Sequence, residues 1–170
     1  MELLTTLVDV AHNRSTGRNA QELRFVVVHT PAMVKAMQPL LAWAASLPKE
    51  IGTPVEGEQP TAFVVVLRPK QTNPMISYID VGIALDAMAI TAWEQGVGST
   101  IMAAVNRPKV AELLGIPEKY EVSIVLSLGY PSHKSTIVPV TPEKGQAYYV
   151  DEKRDYYVPK LKLEEVAKFK

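Results

Sequence analysis

Residues 77–95 are the most apolar segment of the chain and constrain its fold more than any other part. They are predicted to form a helix, which Gly96 would end. Its apolar residues lie on all sides: Val81, Ile83, Leu85, Met88, Ile90 and Trp93. The longest apolar stretch, Val81 to Trp93, contains Asp86 and is too short to cross a bilayer. The segment therefore predicts a helix buried in a core or in an interface between chains.

Helical and strand-like segments alternate along the rest of the chain. Helical spacing or capping residues predict helices at 2–12, from Pro31 to about Ser46, at 106–115 and at 163–169. Apolar, β-branched runs predict strands at 23–28, 62–67, 99–102 and 120–128. Pro39 would kink or split the second helix. This alternation, without internal repeats, indicates an α+β or α/β layered domain.

Length and composition exclude several classes of protein. A chain of 170 residues predicts a single domain over 1–170, and its open segment 132–170 is expected to wrap a partner subunit or cover a ligand. The 18 basic and 18 acidic residues balance, which argues against a nucleic-acid or membrane partner. Cysteine is absent and the three histidines lack metal-ligand spacing, so no metal is expected. With no secretory signal pattern, the sequence predicts a soluble, cytoplasmic protein.

No set of residues predicts acid, base or nucleophile catalysis. The chain has no G-x-S-x-G elbow, and Gly96-Val97-Gly98 lacks the third glycine of a dinucleotide loop. Residues 14–21 are more informative, because they bring hydroxyl, amide and guanidinium donors together just before a strand. Such a loop could surround a polar heterocycle, or it could be an ordinary solvated turn. The basic, Tyr-rich stretch 156–162 could likewise bind phosphate or be a solvated face.

Taken in order, the motifs of the chain resemble those of the nitroreductase family of flavoproteins. The first is Ser15-Thr16-x-x-Asn19-x-Gln21, similar to the family's Pro-Ser-x-x-Asn-x-Gln-Pro. The stretch from Asp80 to the Gly96-Val97-Gly98-Ser99 turn is similar to its central helix and Gly-Leu-Gly turn. Asn106-Arg107 through Pro117, the run Leu126–Pro131 and the closing Tyr157-Val158-Pro159-Lys160 follow at the family's spacing. Together these motifs span nearly the whole chain.

The resemblance implies a fold, a cofactor and an activity. The expected fold is an α+β three-layer sandwich, a mixed β-sheet flanked by helices, in an intertwined homodimer. FMN is expected at the two subunit interfaces, with NADH or NADPH as electron donor. The family reduces nitroaromatic compounds, quinones or similar acceptors by a ping-pong cycle. Hydride passes directly from nicotinamide to flavin, so no catalytic side chain is expected.

The resemblance also assigns cofactor-binding residues. Thr16 and Asn19 fall where family members contact the flavin, usually from the second subunit, and Gln21 fits the third polar place. Ser15 takes the usual Pro position and Arg18 is a further donor of the same loop. The other expected contacts are the backbone of Ala103 and Ala104 at the flavin's reactive edge, Lys160 on the phosphate side and, as a looser candidate, Lys162.

One departure leaves two alternatives open. Family members usually begin with an Arg-Arg-Ser-x-Arg helix whose arginines bind the FMN phosphate, and this sequence starts at the following helix. Either the native start lies upstream of Met1, or flavin binds more weakly here, since each charge-assisted contact contributes about 1.5–3 kcal/mol. The alternative function is accordingly a non-enzymatic or weakly flavin-binding dimer that acts as a sensor, carrier or scaffold. Glu22 and Leu161 also depart from the family's usual Pro and Arg.

Overall fold

The computed structural model describes residues 1–44 and 46–170. Its internal contacts divide the chain into two compact units, and each is described by itself. Unit 1 comprises Met1–Ala42 and Val55–Tyr130, and unit 2 comprises Trp43–Pro54 and Pro131–Lys170. A single domain over 1–170 stays a prediction.

The elements of unit 1 follow the predicted alternation of helices and strands. In chain order the helices are α1 (Glu2–His12), α2 (Pro31–Met37), α3 (Lys49–Gly52), α4 (Pro74–Glu94), α5 (Arg107–Leu114) and α6 (Leu163–Val166). The strands are β1 (Arg24–Val28), β2 (Ala62–Pro69), β3 (Gly98–Met102), β4 (Tyr120–Gly129), β5 (Ser135–Pro139), β6 (Tyr149–Val150) and β7 (Tyr156–Lys160).

Unit 1 is built on an antiparallel sheet with the strand order β1-β2-β4-β3. Strand β2 is central, and its Val64 pairs with Val27 of β1 and Leu126 of β4. Successive side chains of a strand point to opposite faces, yet both Phe63 and Val64 are fully buried. A strand buried on both faces needs a continuous apolar run, which explains the Ala62–Leu67 sequence.

Helices cover both faces of this sheet. On one face the core combines residues of β2 and β4 with Leu7 and Ala11 of α1 and a row of α4 side chains. On the other face α5 contacts β4, and its Val110 is fully buried. Val34 and Met37 of α2 are buried as well. The helix–sheet–helix arrangement confirms the predicted α+β sandwich; parallel pairing occurs in the sheet of unit 2, between β5 and β7.

Helix α4 is longer than the sequence predicted. The Asn73 side chain caps it by accepting a hydrogen bond from the Ile76 N–H at 3.3 Å, and Gly96 after its end has φ +72°. With 21 residues α4 is long and apolar enough to cross a membrane, by length and composition alone. The stretch Val81–Trp93 therefore underestimated the length of the apolar helix. Its buried side chains pack against α1 and the sheet, the arrangement of a core helix.

The helix from Pro31 was predicted too long. It ends at Met37, a single 3-10 turn follows at Gln38–Leu40, and Leu41 is extended. Pro39 lacks the N–H that would continue an α-helix, which gives the physical reason. The predicted C-terminal helix also ends early, at Val166 instead of Phe169.

Unit 2 contains a three-stranded sheet in which β7 lies between β5 and β6. Asp151 organises the β6–β7 turn: its Oδ1 accepts from the N–H groups of Lys153 (2.9 Å) and Asp155 (3.0 Å), and its Oδ2 from the Tyr157 hydroxyl (3.2 Å). The Tyr157 ring stacks on Tyr149 at a centroid distance of 5.2 Å.

These contacts shift two pKa values in opposite directions. Partial desolvation raises the pKa of Asp151, but the Asp155 and Lys153 N–H donors, the Tyr157 hydroxyl and the Lys153 charge outweigh it and hold the pKa below its usual value. The hydrogen bond to Asp151 and that residue's negative charge raise the pKa of Tyr157.

We therefore expect the β6–β7 hairpin to lose stability at both ends of the pH range. The contribution of Asp151 is present above the ordinary carboxyl pKa of about 4 and is lost as the pH falls through the lower folded value. The contribution of Tyr157 is present below about pH 10 and is lost as the pH rises through its raised folded value. NMR titration should show Asp151→Asn lowering the Tyr157 pKa, while the neighbouring Glu152→Gln leaves it in place. An unchanged Tyr157 pKa in Asp151→Asn would contradict this assignment.

Candidate functional site

Residues 13–23 join α1 to β1, include the predicted flavin loop 14–21 and fold on local hydrogen bonds. The Asn19 N–H donates to the Thr16 carbonyl oxygen at 2.9 Å, and the Ala20 N–H to that of Gly17 at 3.0 Å. The Thr16 hydroxyl accepts from the Gln21 N–H at 3.2 Å. These bonds bring together the loop residues that the sequence predicted.

The backbone of this loop is left-handed at non-glycine positions. Arg18, Asn19 and Gln21 have φ angles of +55°, +55° and +51°. This conformation costs about 1–2 kcal/mol per residue, and less for asparagine. Such residues persist only where surrounding contacts hold them, and they concentrate at functional sites. The side chains of Ser15, Arg18, Asn19 and Gln21 are exposed, and that of Thr16 is half-buried.

Two further contacts hold the loop in place. At its centre the Gly17 N–H donates to Oδ1 of Asp80 on α4 at 2.8 Å. At its end Arg24 Nη1 donates to the carbonyl oxygens of Gln21 (2.9 Å) and Leu23 (2.7 Å). The loop is therefore attached to both a core helix and an edge strand.

The second group of predicted contacts, Ala103 and Ala104, follows β3 and is exposed. The Ala103 carbonyl oxygen accepts from Arg107 Nη2 at 3.0 Å and from the Val105 N–H at 3.1 Å. The Ala104 carbonyl oxygen accepts from the Ala42 N–H at 2.9 Å. The Ala103 carbonyl oxygen therefore accepts two hydrogen bonds within unit 1, and the Ala104 carbonyl oxygen accepts one.

Arg107 connects this turn to a bulge in the sheet. The register between β2 and β4 shifts after Val66, which pairs with Ile124, whereas Leu67 pairs with Val122. Ser123 between them is the extra residue of a β-bulge. The Arg107 Nε and Nη2 atoms donate to its carbonyl oxygen at 3.3 and 3.1 Å.

The topology separates the two groups within unit 1. The loop leads into β1, Ala103 and Ala104 follow β3, and these strands are opposite edges of the four-stranded sheet. Three strand spacings put the two edges about 14 Å apart. Neither of two surface grooves on unit 1 includes a predicted site residue: one of about 480 Å³ lined by Pro69, Lys70, Gln71, Glu118, Lys119 and Tyr120, and one of about 380 Å³ between α1 and Val27.

Lys160 and Lys162 lie in unit 2, where both are exposed. Lys160 ends β7, and its carbonyl oxygen accepts from the Val140 N–H at 3.1 Å. Lys162 precedes α6, and its N–H donates to Glu165 Oε2 at 2.8 Å. In residues 1–44 and 46–170, no group of three His, Cys, Asp or Glu side chains could hold a metal ion.

Sequence reasoning missed the residues that support the site: Asp80, Arg24 and Arg107. A carboxylate within an apolar helix was a usable signal for Asp80, although the same helix also carries Asp86 and Glu94. Arg24 and Arg107 give no such signal, because an arginine next to a strand or helix end is ordinary on a protein surface. Glu22, which departs from the usual Pro, accepts a hydrogen bond from the Thr72 hydroxyl.

The sandwich and the left-handed polar loop define an α+β protein whose candidate site is built mainly from backbone and small polar side chains. A sequence model of the Nitroreductase family matches residues 1–130. The chain therefore belongs to the Nitroreductase family, as its motifs indicated.

Individual relatives agree with this assignment. A protein of Archaeoglobus fulgidus named "Putative NADH dehydrogenase/NAD(P)H nitroreductase" is 31% identical over 119 residues, a match that spans 66% of this chain and 63% of that protein. The crystal structure of a nitroreductase family protein from Clostridium difficile 630 covers 99% of this chain and 85% of its own, at 22% identity and a TM-score of 0.65. An FMN-dependent nitroreductase from Clostridium difficile R20291 covers 78% and 77%, at 20% identity and a TM-score of 0.58. The two structures establish the fold.

We expect Arg107→Ala to loosen the Ala103 turn. The change removes charged donors from the carbonyl oxygens of Ser123 and Ala103, so the free energy of unfolding should fall by about 1.5–3 kcal/mol. Urea unfolding measures this, and amide hydrogen exchange should accelerate at residues 103–105. The matched control is Lys109→Ala, an exposed cation of the same helix. Equal stabilities for the two variants would contradict the assignment.

Proposed function

We propose that this protein is an FMN-dependent oxidoreductase that transfers hydride from NADH or NADPH, through the flavin, to a nitroaromatic compound, a quinone or a similar acceptor. The observation that carries the proposal is the loop with exposed donors at Ser15, Arg18, Asn19 and Gln21 and a half-buried hydroxyl at Thr16, left-handed at Arg18, Asn19 and Gln21, in a Nitroreductase family member. The A. fulgidus relative's name supports a nicotinamide donor, and the C. difficile R20291 protein's title supports FMN.

The donors of the loop suit the pyrimidine end of a flavin, which presents carbonyl oxygens and ring nitrogens. Thr16 accepts a hydrogen bond from the Gln21 N–H, which leaves its own O–H proton for donation. The Asn19 amide adds donors on the exposed side of the loop. Because the backbone is fixed by the bonds at Gly17 and Arg24, the loop would lose little backbone entropy on binding.

The backbone at Ala103 and Ala104 supplies a second set of donors. Because the Ala103 carbonyl oxygen already accepts two hydrogen bonds within unit 1, we infer that this turn would face a flavin with N–H groups. N–H donors stabilise negative charge that develops on a bound ring. Lys160, with Lys162 as the looser candidate, offers a cation for the FMN phosphate.

The chemistry that a bound FMN supplies is hydride transfer from the nicotinamide and delivery of electrons to the acceptor, in a ping-pong cycle. The residues of this chain would hold and orient the reactants, and no side chain need act as acid, base or nucleophile. This division of labour explains why the loop is rich in positioning groups and poor in titratable ones.

We further propose that the site is completed by a second copy of the chain. On α4 the apolar side chains of Ile79, Ile83, Ile90 and Trp93 are 37–66% exposed along one side of the helix. Exposed apolar side chains on one side of a helix are typical of an interaction site, and Asp86 is the charged residue among them. In the 132–170 tail, Leu163, Val166 and Phe169 are more than 60% exposed, which supports packing of the tail on the partner subunit. Two chains would also let the loop of one meet the Ala103 turn of the other.

The charge balance and the apolar helix α4 also bear on partners and on location in the cell. Balanced charge gives the chain no general attraction for nucleic acid or an anionic membrane. The apolar length of α4 serves the core and the proposed dimer interface, so we propose a cytoplasmic protein with no membrane partner.

We expect the purified protein to bind FMN with a visible flavin spectrum that NADH or NADPH bleaches anaerobically, and to reduce quinones or nitroaromatic compounds. Asn19→Asp, an isosteric change that replaces an amide donor by a carboxylate, should weaken FMN binding at least about tenfold, which corresponds to ~1.4 kcal/mol. Asparagine and aspartate both tolerate positive φ, so the backbone is retained. The matched control is Gln71→Glu, the same amide-to-carboxylate change at an exposed position outside the loop, with near-unchanged affinity.

Two outcomes would overturn the proposal. Folded protein that stays colourless after excess FMN and desalting, and shows no binding by fluorescence titration, would exclude the flavin site. Flavin-loaded protein that reduces no dye, quinone or nitroaromatic acceptor with either nicotinamide would exclude the oxidoreductase and favour a flavin-binding dimer without this activity.

A further inference from the structure

Asp80 is a buried carboxylate on α4. It is 4% exposed and lies in a row with Ser77 and Val81, each 2% exposed, and Ala84 one turn further on. A carboxylate removed from water is costly unless it accepts hydrogen bonds. Helix burial alone would favour an apolar side chain at this position, so the carboxylate calls for a specific partner.

That partner is the backbone of the flavin loop. Asp80 Oδ1 accepts the Gly17 N–H at 2.8 Å, across 63 residues of sequence. A hydrogen bond to an ionised carboxylate is about twice as strong as a neutral one. Gly17 stands directly between Thr16 and the left-handed pair Arg18 and Asn19, so the bond acts at the centre of the proposed flavin contacts.

The backbone of Gly17 also lies very close to the side chains of α4. A Cβ atom at this position would come within 2.2 Å of Ile76 Cγ2, far inside van der Waals contact. The carboxylate and the missing Cβ therefore work together: one attracts the loop backbone to α4, and the other lets it approach closely.

We propose that Asp80 is a positioning residue for the flavin site: its carboxylate fixes Gly17 against α4 and thereby sets the positions of Thr16 and Asn19. This inference rests on the proposed function for the identity of the ligand, while the contact between Asp80 and the loop stands by itself. The loop is exposed and its left-handed residues are strained, so without the bond the local backbone has a lower-energy conformation to relax into. Loss of the carboxylate then weakens ligand binding without unfolding the sandwich.

The experiment compares four variants with the wild-type protein at a temperature where circular dichroism shows each one folded. Asp80→Ala removes the acceptor, and Asp80→Asn keeps a carbonyl oxygen that accepts the Gly17 N–H. Gly17→Ala displaces the loop from α4 by adding a Cβ atom on the loop, and it leaves the sequence of α4 unchanged. Ser77→Ala is the matched control, because Ser77 is equally buried on the same helix and its hydroxyl has no hydrogen-bond partner within the described structure.

Two readouts are measured: FMN affinity by fluorescence titration, and the rate of tryptic cleavage after the exposed Arg14 and Arg18 in flavin-free protein. We expect Asp80→Ala and Gly17→Ala to weaken FMN at least about tenfold and to accelerate cleavage of the loop. Asp80→Asn should recover most of the affinity, and Ser77→Ala should match the wild type in both readouts.

The proteolysis arm separates this inference from the proposed function. If the wild type binds no FMN, the proposed function fails, and cleavage of the flavin-free loop still decides whether Asp80 positions it. Folded Asp80→Ala with wild-type affinity and wild-type cleavage would overturn the inference. So would equal losses in Ser77→Ala, because they would reveal a general effect of perturbing α4. If Asp80→Ala does not fold, Gly17→Ala supplies the same two readouts.

Discussion

Helix α4 buries one face against α1 and the antiparallel sheet, and the other features of unit 1 are arranged around that contact. The buried face includes Met88, which is fully enclosed, and continues into the core of β2 and β4. Burial of apolar surface stabilises the fold by roughly 25 cal/mol for each Å² removed from water. Because the helix is fixed in this way, the side chains that leave it in other directions have defined positions.

Two of those directions matter for function. The buried side chain of Asp80 accepts a hydrogen bond from the Gly17 N–H. On another side of the helix, apolar side chains such as Ile79 and Trp93 are exposed. One rigid element thus supports both the proposed flavin loop and the proposed contact with a second chain. A site assembled from loops gains precision when such an element fixes them.

The elements of unit 1 could be predicted from the sequence because their signals are local. The continuous apolar run of β2, the Asn106 cap and the Gly115 end of α5 each specify a structure within a few residues. The prediction of where α2 ends was wrong, because Pro39 is compatible with either a kinked helix or the end of the helix. The site residues of the loop came from resemblance to a family, since turn-forming residues with hydroxyl and amide groups look alike in binding and solvated loops.

What holds the site could not be predicted in the same way. The bond between Gly17 and Asp80 joins residues 63 positions apart, and the contact of Arg107 with Ser123 depends on a bulge in β4. Both involve backbone groups, which every residue carries and which leave no mark on composition or spacing. Only the tertiary structure shows that the side chains of Asp80 and Arg107 hold the backbone of Gly17 and Ser123 in place.

We propose that one flavin is held by the loop of one chain and the Ala103 turn of another. Co-expression of two differently tagged variants tests it most directly: Thr16→Ala/Asn19→Asp, with a defective loop, and Ala104→Glu, which places a carboxylate at the turn. A shared site predicts about one bound FMN in the purified mixed dimer, about two in the wild-type dimer and almost none in either variant homodimer, because symmetry leaves the mixed dimer one intact combination. A mixed dimer without FMN, beside a wild-type dimer that binds it, would contradict the shared site.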